Sequence, residues 1–303
     1  MAGLKELRTR LNAVKSTQKI TMAMKLVAAA RLKKAVSAME KNNAYALVIQ
    51  NAVARVLLEY QKEEIIRKVK HILPAVFKPI LNPKTYLLVV FSSERGLCGA
   101  YNQNVAKTAQ RRIEELKNAG KDVKLVCYGK KAYDILQKNY RELIVHHEAS
   151  YASGGIFYLE AEQMLRKIIE FSQEESFDII EVVHGHFESA GHHEMCSMRI
   201  YPLDAKEINT EQNLDHIGDA YFDYKPSKEA VLEKAAQKLL VNNIYRAMLG
   251  AEASEQSARM LAMENATQNA LNMMQTLTLK YNTLRQSAIT TELTEIISGA
   301  EAL

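Results

Sequence analysis

Helix breakers are missing from both ends of this chain. No Gly or Pro falls between Gly3 and Pro74, and only Gly250 falls between Pro226 and Gly299. Gly and Pro are the residues that most disfavour a helix interior, so each stretch can run as one continuous helix. A helix of about 60 residues is on the order of 90 Å long at ~1.5 Å per residue. That length cannot be buried inside a compact domain of a 303-residue chain. Two such helices from opposite ends can cover each other's apolar stripes as an antiparallel pair, with the residues between them forming a separate body. The outline predicted is a rod with a knob.

The apolar spacing supports pairing. In the first stretch Leu4, Leu7, Leu11, Val14, Gln18, Thr21, Lys25, Ala28, Leu32, Ala35 and Met39 alternate steps of three and four, the heptad rhythm of a coiled-coil seam. Met260, Met263, Thr267, Ala270, Met274, Leu277, Tyr281, Leu284 and Ala288 do the same in the second. Both seams are poor in Leu and Ile toward the far end. A buried Ala or Thr contributes much less than the ~1.5–3 kcal/mol of a large aliphatic side chain, so that end is expected to be enclosed by another protein.

Between the helices the period changes. Continuous apolar runs of strand length occur at 86–91, 123–128, 143–145 and 177–183, with a final edge strand near 195–201. Helical patterns separate them at 106–116, 132–140 and 156–171. Alternation of this kind specifies a mostly parallel sheet with helices on its faces, a Rossmann-like α/β domain. The expected fold class is therefore α/β, a long antiparallel coiled coil of N- and C-terminal helices plus a Rossmann-like domain. The expected divisions are a helix over 1–73, the α/β domain over 84–203, a linker over 204–226 and a helix over 227–303.

Charge is unevenly placed. Residues 1–41 carry ten basic side chains against Glu6 and Glu40, a surplus of eight, whereas the whole chain's surplus is +5. Such a basic amphipathic start fits a mitochondrial transit peptide, a surface for nucleic acid or anionic lipid, a shaft inside an acidic protein collar, or simply a solvated face. The heptad continues well past residue 30, so cleavage of a transit peptide would remove half the seam. Aromatic stacking residues and nucleic-acid reader motifs are lacking. No apolar run reaches the ~20 residues of a spanning helix, and Cys98, Cys127 and Cys196 are odd in number and widely spaced, which points to reduced thiols.

Three constellations in the middle of the chain could carry chemistry. A Gly-bearing turn, Ser92 to Asn102, follows the first strand where phosphate often sits. Neither G-x-G-x-x-G nor G-x-x-x-x-G-K-[ST] is present, and the alternative is a tight turn in which Gly96 and Gly99 permit close packing. His184, His186, His192, His193 and Glu194 offer imidazoles and a carboxylate for zinc, yet no spacing fixes a tetrahedron, and loop histidines are common. Cys98 lies near Arg95 but lacks a general base in sequence, which favours a small buried hydrophobe. No metal, cofactor or catalytic residue is assigned from these.

Four segments carry a family resemblance. Ile289 to Ala300 (Ile-Thr-Thr-Glu-Leu-Thr-Glu-Ile-Ile-Ser-Gly-Ala), Thr17 to Ala29 (Thr-Gln-Lys-Ile-Thr-Met-Ala-Met-Lys-Leu-Val-Ala-Ala), the turn Arg95-Gly-Leu-Cys-Gly99, and Ala253 to Met263 resemble the γ subunit of F-type ATP synthases, in order and over essentially the whole chain. The resemblance implies a non-catalytic central rotor shaft inside a ring of three α and three β subunits, with the α/β body facing the ε subunit and the membrane c-ring. It implies no cofactor, no nucleic acid and no small-molecule substrate. Met24, Arg259, Gln286, Thr290 and Glu292 match positions that contact β-subunit loops in that family. The segment His184 to Glu194 departs from the family's strand pair, and the cysteine-containing insertion of chloroplast relatives is missing. The start Met1-Ala-Gly-Leu-Lys-Glu, with no presequence, points to the cytoplasmic face of a bacterial inner membrane rather than a processed mitochondrial chain.

Two other classes stay open on sequence alone. A basic coiled-coil protein would bind nucleic acid or anionic membrane through residues 1–41 with steep salt dependence. A phosphate-ligand enzyme built on residues 84–202 would be stabilised by nucleotide.

Overall fold

The computed structural model describes residues 2–67, 75–78, 80–149, 156–174, 176–189, 191–204, 208 and 223–301. The expected helix residues 68–73 and most of the expected linker over 204–226 lie outside the described residues. The chain packs as two units. One comprises Met1–Ala30, Leu97–Gly99 and Ala258–Leu303, and the other Arg31–Gly96 and Ala100–Ser257.

Both breaker-poor stretches are helical. α1 spans Ala2–Arg67 and α5 spans Lys228–Glu301. In the first unit their residues pair antiparallel. The α1 seam positions 4, 7, 11, 14, 18, 21, 25 and 28 are all shielded, whereas most of the positions between them are exposed. That pattern is the heptad seam read from sequence. On α5 the positions 263, 267, 270, 274, 277, 281 and 288 are likewise shielded, but Leu284 is 46% exposed. Leu284 borders an open groove of about 620 Å³ shared with Leu7, Arg10, Leu279 and Thr283.

The second unit holds a five-stranded sheet. Its strands are β1 (Thr85–Phe91), β2 (Asp122–Tyr128), β3 (Ile144–Glu148), β4 (Ile179–Ser189) and β5 (His192–Tyr201), in the order β3-β2-β1-β4-β5. The first four run parallel, and β5 returns antiparallel at the edge. The helices between them are α2 (Tyr101–Asn118), α3 (Lys130–Tyr140) and α4 (Tyr158–Glu174). β1 is buried from Tyr86 to Phe91, as expected for a central parallel strand covered on both faces. Sequence reasoning ended β4 at Val183 and began β5 at Met195. Both run further toward their turn, because cross-strand pairing holds polar residues that no apolar run would reveal.

The two faces of the sheet bury different partners. Leu87, Val89, Phe91, Val126, Tyr128, Ile180, Val182 and Ile200 pack with Val53, Leu57 and Tyr60 of α1, Met164 and Ile168 of α4, and Leu232, Leu239, Ile244 and Met248 of α5. On the opposite face Tyr86, Leu88, Val123, Leu125 and Ile179 meet Ile113 and Leu116 of α2. Each fully buried aliphatic side chain here contributes about 1.5–3 kcal/mol. Arg112 of α2 caps this second face: its Nε and Nη2 donate to both carboxylate oxygens of buried Glu181, at 2.8 and 2.7 Å. Ser197 donates to the same carboxylate at 2.8 Å, so a charge on a central strand is fully engaged.

Candidate coupling surface and the sheet's loop ends

Register across the paired helices is fixed by two polar contacts. The Thr21 and Thr267 hydroxyls lie 2.8 Å apart, and Lys25 Nζ donates to Glu264 Oε1 at 2.6 Å. Extending that pairing at equal rise along both helices places the start of α1 level with about residue 286 of α5, consistent with Gly3 and Leu284 lining one groove. The last turns of α5 therefore run past α1, and among the described residues α1 offers them no partner. On these turns Ile289, Leu293, Ile296 and Ile297 are exposed. Spacings of four, three and one put them on one apolar face. Ile20, Met22, Leu26 and Val27 are exposed on α1. Concentrations of exposed large apolar residues mark interaction surfaces.

The five positions named by the family resemblance all belong to the first unit. Met24 is half-buried, beside the Lys25–Glu264 pair. Arg259 is half-buried at the start of the α5 segment of this unit, and Gln286, Thr290 and Glu292 are exposed near its end. Thr290 donates its hydroxyl proton to the Gln286 carbonyl at 3.0 Å, so this face of the helix satisfies its own polar groups. The turn residues Leu97–Gly99 belong to the same unit. Leu97 is exposed in the left-handed region at φ +67°, and Gly99, at φ +57°, faces Ala262.

The rest of the turn after β1 packs within the second unit, against the start of α3. Three backbone N–H groups opening α3 are engaged by it: Lys130 N–H by Glu94 Oε2, Lys131 N–H by the Ser93 carbonyl, and Ala132 N–H by Ser92 Oγ, at 3.0–3.2 Å. An anion at a helix N-terminus needs those donors. Ser93 N–H and its hydroxyl meet Asn102 at 3.1 and 2.9 Å. Close packing also explains Gly129, at φ +95°: an added Cβ would lie 2.1 Å from the Ser92 carbonyl oxygen.

The histidine segment separates instead of converging. His184 is buried, and Gly185 O accepts from its Nδ1 at 3.0 Å. That tautomer leaves Nε2 as acceptor for the Cys196 thiol 3.5 Å away. Burial pushes the His184 pKa down to about 4, aided by the neighbouring His186 and Arg246. His186 is exposed, and His192 pairs with Glu188 at 3.3 Å. Among the described residues no group of three His, Cys, Asp or Glu stands where it could hold a metal ion. No disulfide joins the cysteines. Cys98 and Cys127 are buried, and burial pushes the Cys127 thiol up to about 12. Sequence reasoning did not anticipate the His184–Cys196 pair, since only the β4–β5 register brings those residues opposite each other.

Long terminal helices paired antiparallel, joined to a mostly parallel sheet that ends in an antiparallel edge strand, define a class with solved members. A chain from the central stalk and c-ring of the Tetrahymena thermophila mitochondrial ATP synthase superposes with TM-score 0.60 at 24% identity, covering 82% of this chain and 99% of that one. A rotor chain of the Euglena gracilis mitochondrial ATP synthase gives 0.62 at 18% identity, covering 95% and 99%. At such identities the likeness is one of fold. The family described as ATP synthase matches residues 3–303. The ATP synthase gamma chain of Rhizobium etli is 38% identical over 308 residues, and that of Pelagibacter ubique 36% over 303, with all of each chain covered. The chain belongs to the ATP synthase gamma-chain family.

Proposed function

We propose that this chain is the central rotor shaft of an F-type ATP synthase, linking ion flow through a membrane ring to conformational cycling of catalytic β subunits. One observation carries the reading: α1 and α5 pair through a thin seam yet leave apolar residues uncovered on Ile20 to Val27 and on Ile289 to Ile297. A surrounding sleeve would cover them. Catalytic sites that are chemically identical differ at one moment only if something asymmetric at their centre holds them apart, and two unlike helices supply that asymmetry. Turning the shaft then changes each site's nucleotide affinity in sequence, and hydrolysis drives the turn backward.

In this reading the chain is non-catalytic and transmits torque. Its partners are three α and three β subunits around the helices, and the ε subunit and c-ring at the α/β body. Met24, Arg259, Gln286, Thr290 and Glu292 make the β-subunit contacts. The basic surplus of α1 suits acidic β-subunit loops, because long-range attraction centres a shaft without locking it. The complex places the chain peripherally at the cytoplasmic face of a bacterial inner membrane. Among the described residues no helix is long and apolar enough to cross a membrane.

Reconstitution tests the reading. Mixing the chain with α and β subunits of the same organism is expected to give a three-to-three-to-one complex with ATPase activity that deletion of residues 285–303 weakens. Failure to assemble, with tight salt-sensitive binding to duplex DNA or anionic liposomes instead, would overturn it.

A further inference from the structure

β4 outlasts the sheet that supports it. Its pairing with β1 ends at Val90 opposite Val183, and from His184 onward it pairs with β5 alone. The hairpin beyond that point rests on α5 through backbone-close contacts. An added Cβ on Gly185 would lie 2.7 Å from Ser254 Cβ, 2.9 Å from Ser254 Oγ and 3.0 Å from Tyr101 Cε2. Conversely, an added Cβ on Gly250 would lie 3.1 Å from the Gly185 carbonyl oxygen. Two hydrogen bonds bracket this contact: Tyr101 Oη donates to the Ala251 carbonyl at 3.2 Å, and Gly191 N–H donates to Ser257 Oγ at 3.2 Å near the hairpin turn. Gly250, Ser254 and Ser257 follow helical spacing along one side of α5, and all three are buried.

Gly250 is the only glycine between Pro226 and Gly299. A helix-interior glycine costs roughly 1 kcal/mol against alanine, and here it leaves room for a hairpin carbonyl. Contact between backbones has no long side chains to bend. Turning α5 about its axis against the hairpin would press Ser254 against Gly185, since packed interiors yield little.

We propose that Gly185, Gly250 and Ser254 form the joint through which torque passes between the α/β sheet and α5. The inference rests on the rotor reading above. These are positioning residues: they hold the sheet and the helix at one angle, so that rotation of one becomes rotation of the other.

The test uses the membrane-bound complex, measuring ATP hydrolysis and ATP-driven ion pumping together. Gly185→Ala is expected to keep the complex assembled and hydrolysing while losing most of its pumping per ATP. Adding Ser254→Gly, which removes the obstructing Cβ and Oγ, is expected to restore the ratio. Should Gly185→Ala fail to assemble, the milder Gly250→Ala is read in its place, with the same loss expected. Unchanged pumping per ATP in the assembled variant overturns the joint, as does a loss that Ser254→Gly leaves unrepaired. A wild-type complex that hydrolyses but does not pump would instead count against the rotor reading itself.

Discussion

Thr21 of α1 and Thr267 of α5 share a hydrogen bond of 2.8 Å across the helix pair. The Thr267 hydroxyl also lies 2.7 Å from the Met263 carbonyl in its own helix. The Thr21 hydroxyl in turn lies 3.1 Å from the Gln18 carbonyl of its own helix, so each hydroxyl has both an intrahelical acceptor and the facing hydroxyl within reach. Replacing either threonine by valine should cost about 1 kcal/mol, with the double variant losing less than the sum. Urea denaturation of the four proteins measures the coupling; strict additivity would mean the pair contributes nothing to register.

Close by, Lys25, half-buried on the α1 seam, and Glu264, exposed beside the α5 seam, lie 2.6 Å apart. Solvent screens such a pair, so Glu264→Gln should change stability by no more than about 1 kcal/mol. Met24→Lys adds a second cation beside it. In the assembled complex that variant is expected to reduce ion pumping per ATP while leaving the isolated chain's melting temperature nearly unchanged. Equal pumping in the variant and the wild type would remove Met24 from the coupling surface.

Arg112 and Glu181 make a bidentate pair, and the carboxylate is buried. The Glu181 hydrogen bond, chiefly, raises the Arg112 pKa above its ordinary value. Arg112→Met strands a buried carboxylate and should cost about 3 kcal/mol or more, whereas Arg112→Met with Glu181→Leu should recover much of it. Denaturation midpoints of the two variants separate a stranded charge from lost packing.

Gly129 and Gly96 make opposite predictions for the same substitution. Gly129→Ala drives a Cβ into the Ser92 carbonyl at a positive φ, and should cost several kcal/mol or prevent folding. Gly96 has no atom within 4 Å of the added position, so Gly96→Ala should stay within about 1 kcal/mol of wild type. Thermal melts of both proteins check the pair.

His184 should leave a signature in the pH dependence of stability. Unfolded, it takes a proton near 6.5, but folded only near 4. Between those values the unfolded state binds more protons, so stability falls as pH drops from about 6.5 toward 4, by up to about 3 kcal/mol, and this contribution levels off below. His184→Asn should flatten that segment of the curve. An identical pH profile in the variant would show that the imidazole is not neutral and buried as described.

The two long helices follow from local sequence alone, because missing breakers and a three-four rhythm act along the chain without reference to what packs on it. The cores of β1, β2 and β4 and the approximate place of the edge strand were legible too, since a buried parallel strand is apolar, but β3 was legible only at its start, because its Ile144–Glu148 alternates half-buried and exposed and includes two histidines and a glutamate. The motif at Ile289 to Ala300 carried the family. What covers each apolar face was not legible: a stripe on α1 reads the same whether α5 or a sheet packs on it, and only the fold places Val53 to Tyr60 and Leu232 to Met248 against β1, β2 and β4. The histidine segment shows the same limit. His184 and Cys196 are opposite because of the hairpin register, and Gly185 meets Gly250 because two distant backbones converge. Periodicity fixes which way a side chain faces, but long-range packing alone decides what it meets.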